Sequence, residues 1–178
     1  MLHAAVVIPI VRHDEPTIVF VRRASHLRRN PGQIGFPGGI IDPEDSDAKA
    51  AALREFEEEL GVPRDRVRIV DRLEDVVTLA LSVTVAPYVG VIEPPLSFTF
   101  DANETESVHE IPLAALYEPK ALHQGIEPVE RGGVRYEVPS WMFDHAGIHV
   151  WGATARMLHG LVTRYRSAAE MSDYLRSP

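Results

Sequence analysis

Residues 54–62, REFEEELGV, place four glutamates within nine positions and end in a glycine and a valine. On a helix, with about 100° between successive residues, Glu55, Glu58 and Glu59 share one face. Like charges at these spacings repel by roughly 0.2–0.5 kcal/mol per pair, and the helix C-terminus adds a penalty of about 0.3–1 kcal/mol for each exposed anion. The stretch is therefore unfavourable unless a cation is bound, and its carboxylate oxygens suit a hard divalent ion such as Mg²⁺.

The helix that carries these glutamates is expected to run from Ser46 to Leu60, with an N-cap at Asp45 or Ser46 and a stop at Gly61 and Pro63. A second face of this helix is apolar and is formed by Leu53, Phe56 and Leu60. We expect that face to pack against a sheet, which leaves the acidic face free for chemistry.

The rest of the chain alternates between β-rich and helical patterns. Strands are expected in AAVVIPIV, TIVFVRR, RVRIVDRL, VTLALSVTVAPYVGVI, SFTF, GVRYEVPSWMF and IHVWG. RRNPGQIGFPGG is too rich in glycine and proline for a regular element and is expected to be a shaped loop. A further helix is expected from about Ala153 to Tyr165, and the polar residues after about 168 are expected to fray. Residues 1–178 are therefore predicted to form one α/β domain in which helices cover a sheet.

Composition narrows the class of protein. Cysteine is absent, which excludes disulfides, thiolate metal sites and a cysteine nucleophile. The formal charge of −8 argues against a general nucleic-acid surface, because a phosphate backbone requires a basic face. No apolar stretch approaches the roughly 20 residues of a membrane helix, and the N-terminal stretch lacks the pattern of a signal peptide. A soluble cytoplasmic protein is expected, and its oligomeric state stays open.

The acidic helix and the glycines before it resemble the signature of the Nudix hydrolase family. That signature is a glycine, five spacers, a glutamate, seven spacers and then R-E-U-x-E-E-x-G-U, where U is a bulky apolar residue. Residues 54–62 match its second half at every fixed position. In its first half Gly39 is in place, but Asp45 replaces the glutamate and one extra spacer follows. The resemblance implies an α/β/α sandwich with a central mixed sheet flanked by helices.

A second motif narrows the resemblance to Nudix enzymes that cleave coenzyme A. Their motif before the signature is roughly L-L-T-x-R-S-x-x-x-R-x-x-x-G-x-x-x-F-P-G-G, and residues 19–39 here read VFVRRASHLRRNPGQIGFPGG. The positions in register are Arg23, Arg28, Gly32, Phe36, Pro37, Gly38 and Gly39. The motif's threonine and serine are replaced by Val21 and Ala24.

The resemblance implies hydrolysis of the pyrophosphate of coenzyme A, with Mg²⁺ or Mn²⁺ as cofactor. Glu55 and Glu59 are the first choice as metal ligands, with Glu58 joining them and the Gly39 region supplying a carbonyl. Arg54 is expected to hold a carboxylate in place through its fork of donors.

The base that takes a proton from the attacking water is less narrowly defined by the sequence. Some Nudix enzymes use a glutamate of the signature, here Glu55, and others use one from a later loop. Glu104, in ANETESVHEIPL, is the main candidate from outside the signature, and Glu106 is its rival.

The resemblance also points to a set of substrate-binding residues. They are Arg23, Arg28, Gly32, Phe36 and Gly38. Arg23, Arg28 and Arg29 bring positive charge to an otherwise acidic protein, and arginine forks match phosphate oxygens.

Two alternative functions remain open. The missing threonine and serine keep a Nudix pyrophosphatase for another nucleoside diphosphate derivative, such as ADP-ribose or NADH, in consideration. A catalytically silent nucleotide-binding Nudix module belongs to a different class. Such a module would be expected to lose the glutamates of the signature, and this chain keeps all three.

Overall fold

A computed structural model describes residues 2–28, 30–79 and 82–176. The strands are β1 (His3–Val11), β2 (Thr17–Arg23), β3 (Ile34–Gly35), β4 (Gly38–Ile40), β5 (Val67–Arg72), β6 (Val76–Val77), β7 (Thr84–Ile92), β8 (Thr105–Pro112), β9 (Leu122–Arg131), β10 (Val134–His145) and β11 (Ile148–Val150). The helices are α1 (Ala48–Leu60), α2 (Gly152–Arg164) and α3 (Ala168–Arg176). Within the described residues, no helix is both long enough and apolar enough to cross a membrane.

The central sheet is mixed, as the sequence predicts. β1 pairs in parallel with β7 along its whole length and pairs antiparallel with β2 and β4 on its other edge. β2 is flanked in turn by β3 and β8, and β7 by β5 and β6. A second, antiparallel sheet has the order β11-β10-β9. The stretch 28–39, expected to be a loop without regular elements, contains the short β3 and the start of β4. Pairing with β2 and β1 fixes its glycines in place.

Helix α1 forms where the acidic stretch predicts it, with one difference at its start. The N-cap is Asp47 rather than Asp45 or Ser46, because the Asp47 carboxylate accepts a hydrogen bond of 2.8 Å from the amide of Ala50. Gly61 ends the helix in the left-handed conformation, at φ 65°, and its amide donates to the carbonyl of Glu57.

Two apolar cores flank the central sheet, one on each face. Side chains of α1 pack on one face, with Phe56 and Leu60 fully buried, while Leu53 is half-buried at the edge of the same cluster. Leu158 and Leu161 of α2 belong to the core on the other face. The arrangement is the α/β/α sandwich with a mixed sheet and flanking helices that the sequence led us to expect.

The structure corrects three expectations for individual segments. The residues after about 168 do not fray: they form α3, whose Met171 and Leu175 are buried in the core. SFTF (97–100) is not a strand, and the amide of Thr99 instead donates to the carbonyl of Leu60 at the end of α1. The ten-residue strand β9 was not expected. Residues 80 and 81, within a predicted β stretch, lie outside the described residues.

Candidate active site

The C-terminal half of α1 lies against the glycines of β4. The amide of Gly38 donates to Oε2 of Glu59 at 3.3 Å. A Cβ atom added to Gly39 would lie 2.4 Å from Cδ of Glu55 and 2.5 and 2.7 Å from its two oxygens. Gly38 itself, at φ 155°, leaves no room for a Cβ, which would lie 2.3 Å from the carbonyl oxygen of Ala5. Gly39 is therefore required for the close approach of the Glu55 carboxylate to the backbone, and Gly38 is required for the close contact of β4 with β1.

Arg54 is the hub that holds the acidic side chains in place. Its Nε and Nη2 donate to the two oxygens of Asp45 at 3.0 and 2.9 Å, a bidentate pair. Its Nη1 donates to Glu55 at 2.8 Å and to Glu58 at 3.3 Å. The Asp45 carboxylate also accepts from the amide of Asp42 at 2.9 Å. Asp45, the residue that departs from the family signature, thus orients Arg54, and Arg54 orients Glu55.

The hydrogen bonds of Arg54 shift two pKa values in opposite directions. The pKa of the Asp45 carboxyl is lowered, chiefly by its hydrogen bond from Arg54 and then by the amide of Asp42. The pKa of the Arg54 guanidinium is raised, first by Asp45 and then by Glu55. Both shifts favour the charged forms, so this ion pair persists across the neutral pH range.

Glu59 lies in a setting that opposes its own charge. The pKa of Glu59 is raised to about 7 in total. Burial is the largest cause, and the carboxylates of Glu55 and Glu104 add to it, while the hydrogen bond from the amide of Gly38 and the charge of Arg23 act in the other direction. At neutral pH this carboxyl is therefore shared between its protonated and ionised forms. A cation placed next to it would favour ionisation.

The two loop glutamates differ in their surroundings. Glu104 directly precedes β8, its carbonyl accepts from the amide of Ala24 at 2.9 Å, and its carboxylate acts electrostatically on Glu59. Glu106 accepts a hydrogen bond of 2.8 Å from the Ser25 hydroxyl. Glu104 thus faces the acidic site, whereas Glu106 is bound to the loop after β2.

The residues that the sequence suggests for substrate binding are spread along this loop. Arg23 acts electrostatically on Glu59, and its Nε is buried without a hydrogen-bond partner among the described residues. Arg28 is exposed.

Two later residues of the suggested set shape the backbone and the core. Gly32 has φ 66°, and its carbonyl accepts a hydrogen bond from Arg22 at 3.4 Å. Phe36 is 7% exposed and stacks on Phe20, with ring centroids 5.0 Å apart. Arg29 lies outside the described residues.

A divalent cation fits part of this arrangement. Glu55 and Glu59 offer carboxylate oxygens beside backbone, and oxygen is the ligand type that Mg²⁺ and Mn²⁺ prefer. Glu58 lies further out: its side chain is 58% exposed, against 20% for Glu55. Within residues 2–28, 30–79 and 82–176, no three acidic or histidine side chains are gathered closely enough to form a complete metal cage. The donor atoms are of a type that suits a divalent ion, and Glu55 and Glu59 are the signature glutamates that lie beside the β4 glycines.

The sequence patterns did not indicate a second group of polar residues, which lines a cavity together with Arg23. A cavity of about 230 Å³ is lined by Arg23 and Phe36 and also by Gln33, Glu127 and Arg156. Glu127 is 5% exposed and pairs with Arg156 at 3.2 Å. The signal that could have found it is strand alternation, because every second residue from Gly125 to Val129 faces inward. Alternation has this meaning only within a strand, and the sequence patterns do not predict a strand here.

Comparison with known proteins identifies the family. Residues 1–131 match the NUDIX domain family. The chain is 39% identical over 161 residues to "Uncharacterized Nudix hydrolase NudL" of Escherichia coli strain K12, a match that covers 89% of this chain and 80% of the relative. It is 37% identical over 158 residues to the protein of the same name from Enterobacter sp. strain 638, with the same coverage.

Solved structures share the fold at low sequence identity. A MutT/nudix family protein from Enterococcus faecalis is similar over 93% of this chain and 62% of its own, with a TM-score of 0.61 and 12% identity. A C. elegans Ap4A hydrolase in a binary complex is similar over 62% of this chain and 80% of its own, with a TM-score of 0.54 and 20% identity. With the glutamates of α1 held against the glycines of β4, these matches show that the chain belongs to the Nudix family and is a Nudix hydrolase.

Proposed function

We propose that this Nudix hydrolase cleaves the pyrophosphate of coenzyme A or its esters, releasing 3′,5′-ADP and 4′-phosphopantetheine or its acyl derivative. The observation that carries the proposal is the packing of Glu55 and Glu59 against Gly39 and Gly38. Two carboxylates so close to one another, with one of them buried, are costly unless they serve to hold a cation. The cofactor proposed is Mg²⁺ or Mn²⁺, and the proposed location is the cytoplasm.

Each residue of the site has a distinct task in this reaction. Glu55 and Glu59 would hold the divalent ion, with Glu58 and a carbonyl near Gly39 as further ligands. When bound, such an ion neutralises pyrophosphate oxygens and lowers the pKa of a coordinated water. Arg54 keeps Glu55 in position through the hydrogen bond of 2.8 Å between them.

The proton of the attacking water goes to a glutamate. Glu104 is proposed for this role because its carboxylate already influences Glu59, and Glu106 is bound to Ser25 instead. Glu55, one of the three glutamates of the signature, is the second candidate for this base. As the water oxygen bonds to phosphorus, the bond from phosphorus to the bridging oxygen breaks, and the leaving phosphate takes the electron pair.

The choice of coenzyme A rests on the loop that precedes the acidic helix. Arg23 and Arg28 match the motif of coenzyme A-cleaving relatives, and Arg23 lies at the acidic site with a buried nitrogen that has no acceptor among the described residues. A buried guanidinium that lacks an acceptor is suited to a phosphate oxygen of the substrate. Gly32, Phe36 and Gly38 shape the same loop and complete the proposed substrate-binding set.

A second candidate substrate class is a different nucleoside diphosphate derivative, such as ADP-ribose or NADH. Val21 and Ala24 stand where the coenzyme A motif has threonine and serine. The NUDIX domain of Shewanella oneidensis NrtR, solved with ADP ribose, is similar over 66% of this chain and 77% of its own, with a TM-score of 0.51 and 19% identity. That similarity concerns the fold, so the two substrate classes must be separated by assay.

The discriminating experiment is a substrate panel. Purified protein is incubated with coenzyme A, acetyl-coenzyme A, ADP-ribose, NADH and nucleoside triphosphates, each with Mg²⁺ or Mn²⁺, and the products are identified by mass. We expect 3′,5′-ADP from the first two substrates and the highest kcat/KM for one of them. Preference for ADP-ribose or NADH would replace the substrate and leave the hydrolase chemistry standing. Binding without turnover of any substrate would instead support the non-catalytic module.

A further inference from the structure

The cavity of about 230 Å³ has one lining residue, Arg23, in common with the candidate active site. Its walls come from β1, β3 and β7, from β9 and from the first turn of α2. Arg23 belongs to both places, since it lines the cavity and its charge acts on Glu59. Arg23 is therefore the residue that connects the acidic site to this cavity.

The far end of the cavity is polar and carries a balanced pair of charges. Oε2 of Glu127 accepts from Nη1 of Arg156 at 3.2 Å. Arg156 also donates to the hydroxyl of Ser140 at 3.2 Å and to the carbonyl of Val77 at 3.0 Å. Burying an ion pair costs desolvation energy that its own attraction often fails to recover. The Glu127 carboxylate, at 5% exposure, is thus poorly explained by stability alone.

The second oxygen of Glu127 faces a point that Gly152 leaves open. A Cβ atom added to Gly152, at φ 68°, would lie 3.4 Å from Oε1 of Glu127 and 3.5 Å from Nε2 of Gln33. No described residue donates a hydrogen bond to that Oε1. A hydrogen-bond acceptor and a donor therefore border the same small space. This pattern complements an uncharged group that carries an N–H next to an acceptor, as in an amide or an aminopurine.

We propose that Glu127 and Gln33 form a specificity site for such an N–H-bearing group of the substrate, while the phosphates lie at the Arg23 end. The inference rests on the proposed function, because it assumes a substrate with phosphates at one end and a neutral polar group at the other. Coenzyme A contains two sources of this chemistry, the adenine amine and the amides of the pantetheine arm. An acceptor that the bound substrate closes off from water selects strongly for a partner with an N–H, because a substrate without it leaves the acceptor unpaired.

The test replaces one carboxylate oxygen of Glu127 with an NH₂ group and keeps the shape of the side chain. In Glu127→Gln an oxygen remains for Arg156, but an NH₂ donor can replace the acceptor that faces the cavity. We expect KM for coenzyme A to rise roughly 10- to 100-fold with kcat little changed. Glu130→Gln, an exposed position of the same strand, is the matched control and should leave KM unchanged. A midpoint of thermal unfolding within about 2 °C of the parent protein shows that the fold is kept.

Two substrate analogues identify the source of the N–H group. One analogue has unsubstituted purine, which lacks the 6-amino group, in place of adenine, and the other has a methyl group in place of the pantetheine arm. If the adenine amine is the partner, the effect of Glu127→Gln on KM disappears with the first analogue and persists with the second. If a pantetheine amide is the partner, the pattern is reversed. An unchanged KM for all three compounds overturns the inference and leaves the hydrolase activity intact.

A binding measurement keeps the inference testable if coenzyme A proves not to be the substrate. Adenosine and pantetheine, both without phosphate, are titrated separately into the metal-free protein and followed by NMR. We expect at least one of them to bind, and its affinity to fall about tenfold or more in Glu127→Gln. If neither compound binds, or if both variants bind equally well, the assignment of Glu127 and Gln33 is wrong.

Discussion

At the scale of single residues, Glu59 carries the strongest sign of function. Its carboxyl is buried, it accepts from the amide of Gly38, and two other carboxylates, Glu55 and Glu104, act on it. A structural role would be served better by a neutral side chain, because burial penalises the ionised form. The position therefore combines a stability cost with a geometry suited to a cation, a combination common at functional sites.

The first prediction concerns pH and the metal-free protein. The pKa of Glu59 is raised from 4.5 to about 7 on folding, so the folded state binds this proton more tightly than the unfolded state. The stability that Glu59 contributes is present below pH 4.5 and is lost as pH rises to about 7, on the order of 3 kcal/mol in total. We expect Glu59→Gln to be more stable than the parent protein at pH 8 and to have a flatter profile.

Urea unfolding of both proteins at a series of pH values, with a chelator present, measures this difference. Glu57→Gln is the control from the same helix, because Glu57 pairs with Arg64 on the surface and should alter the profile little. Equal pH profiles for the parent protein and Glu59→Gln would show that the carboxyl of Glu59 has no unusual setting.

The second prediction concerns Asp45, where the chain departs from the family signature. Asp45→Asn replaces one oxygen that Arg54 uses with an NH₂ group, so the bidentate pair is lost and Arg54 no longer holds Glu55 firmly. Outer partners of this kind typically contribute 10- to 100-fold to metal affinity or activity, and we expect a fall of about that size in kcat/KM. Asp45→Glu, which restores the charge, should recover part of the rate. Full activity in Asp45→Asn would show that Arg54 is positioned by other contacts.

At the scale of elements, the contact between β4 and α1 decides whether the site can form. Gly39→Ala would place a Cβ 2.4 Å from the Glu55 carboxyl carbon, so the carboxylate must move away from the backbone. The moving atoms are the end of a flexible side chain, and we expect a folded protein whose hydrolysis rate falls about 100-fold or more. Gly160→Ala in α2, where an added Cβ meets nothing within 4 Å, is the control and should keep its activity. Unchanged kcat and KM in Gly39→Ala would show that the position of the Glu55 carboxylate does not matter for the reaction.

Helix α3 supports the fold rather than the chemistry. Met171 is fully buried beneath the sheet, and the carbonyl of Leu175 accepts from Arg68 at 2.9 Å. We expect Met171→Ala to lower the free energy of unfolding by about 2–5 kcal/mol, with kcat unchanged below the new midpoint. Ser172→Ala, one residue further along the helix, is the control. If Met171→Ala unfolds like the parent protein, α3 is not part of the cooperative core.

At the scale of the whole molecule, the elements that could be predicted from the sequence are those that short local patterns determine. The acidic helix and the glycine loop before it follow from spacing and composition within short windows. The mixed order of the sheet is implied by the resemblance to the Nudix family. The polar last dozen residues were expected to fray, because two apolar side chains a turn apart, Met171 and Leu175, are a weak periodic signal. Their burial depends on a distant partner in the sheet, which no local window contains.

The same limit explains what was missed around the site. β9 begins in LHQGIEP, where glycine and proline argue against a strand, and only its ten-residue ladder with β10 overrides them. Because β9 was not predicted, the sequence did not indicate that the Glu127 side chain points inward or that this segment lines a cavity. Helix spacing suffices to place Glu55 and Glu59 on one face, whereas the place of Gly39 beside them is what the resemblance to the Nudix family implies. The greater exposure of the Glu58 side chain was not predicted, because helix spacing alone places it on the same face as Glu55 and Glu59.

The central claim is that Glu55 and Glu59 are held against the β4 glycines in order to bind a divalent cation. The most direct measurement is the midpoint of thermal unfolding at pH 8, with and without Mn²⁺, for the parent protein, Glu59→Gln and Glu57→Gln. Mn²⁺ at about 100 times its dissociation constant should raise the midpoint of the parent protein and of Glu57→Gln by roughly 5–10 °C. Glu59→Gln should start higher and gain almost nothing. An equal gain in all three proteins would contradict the claim.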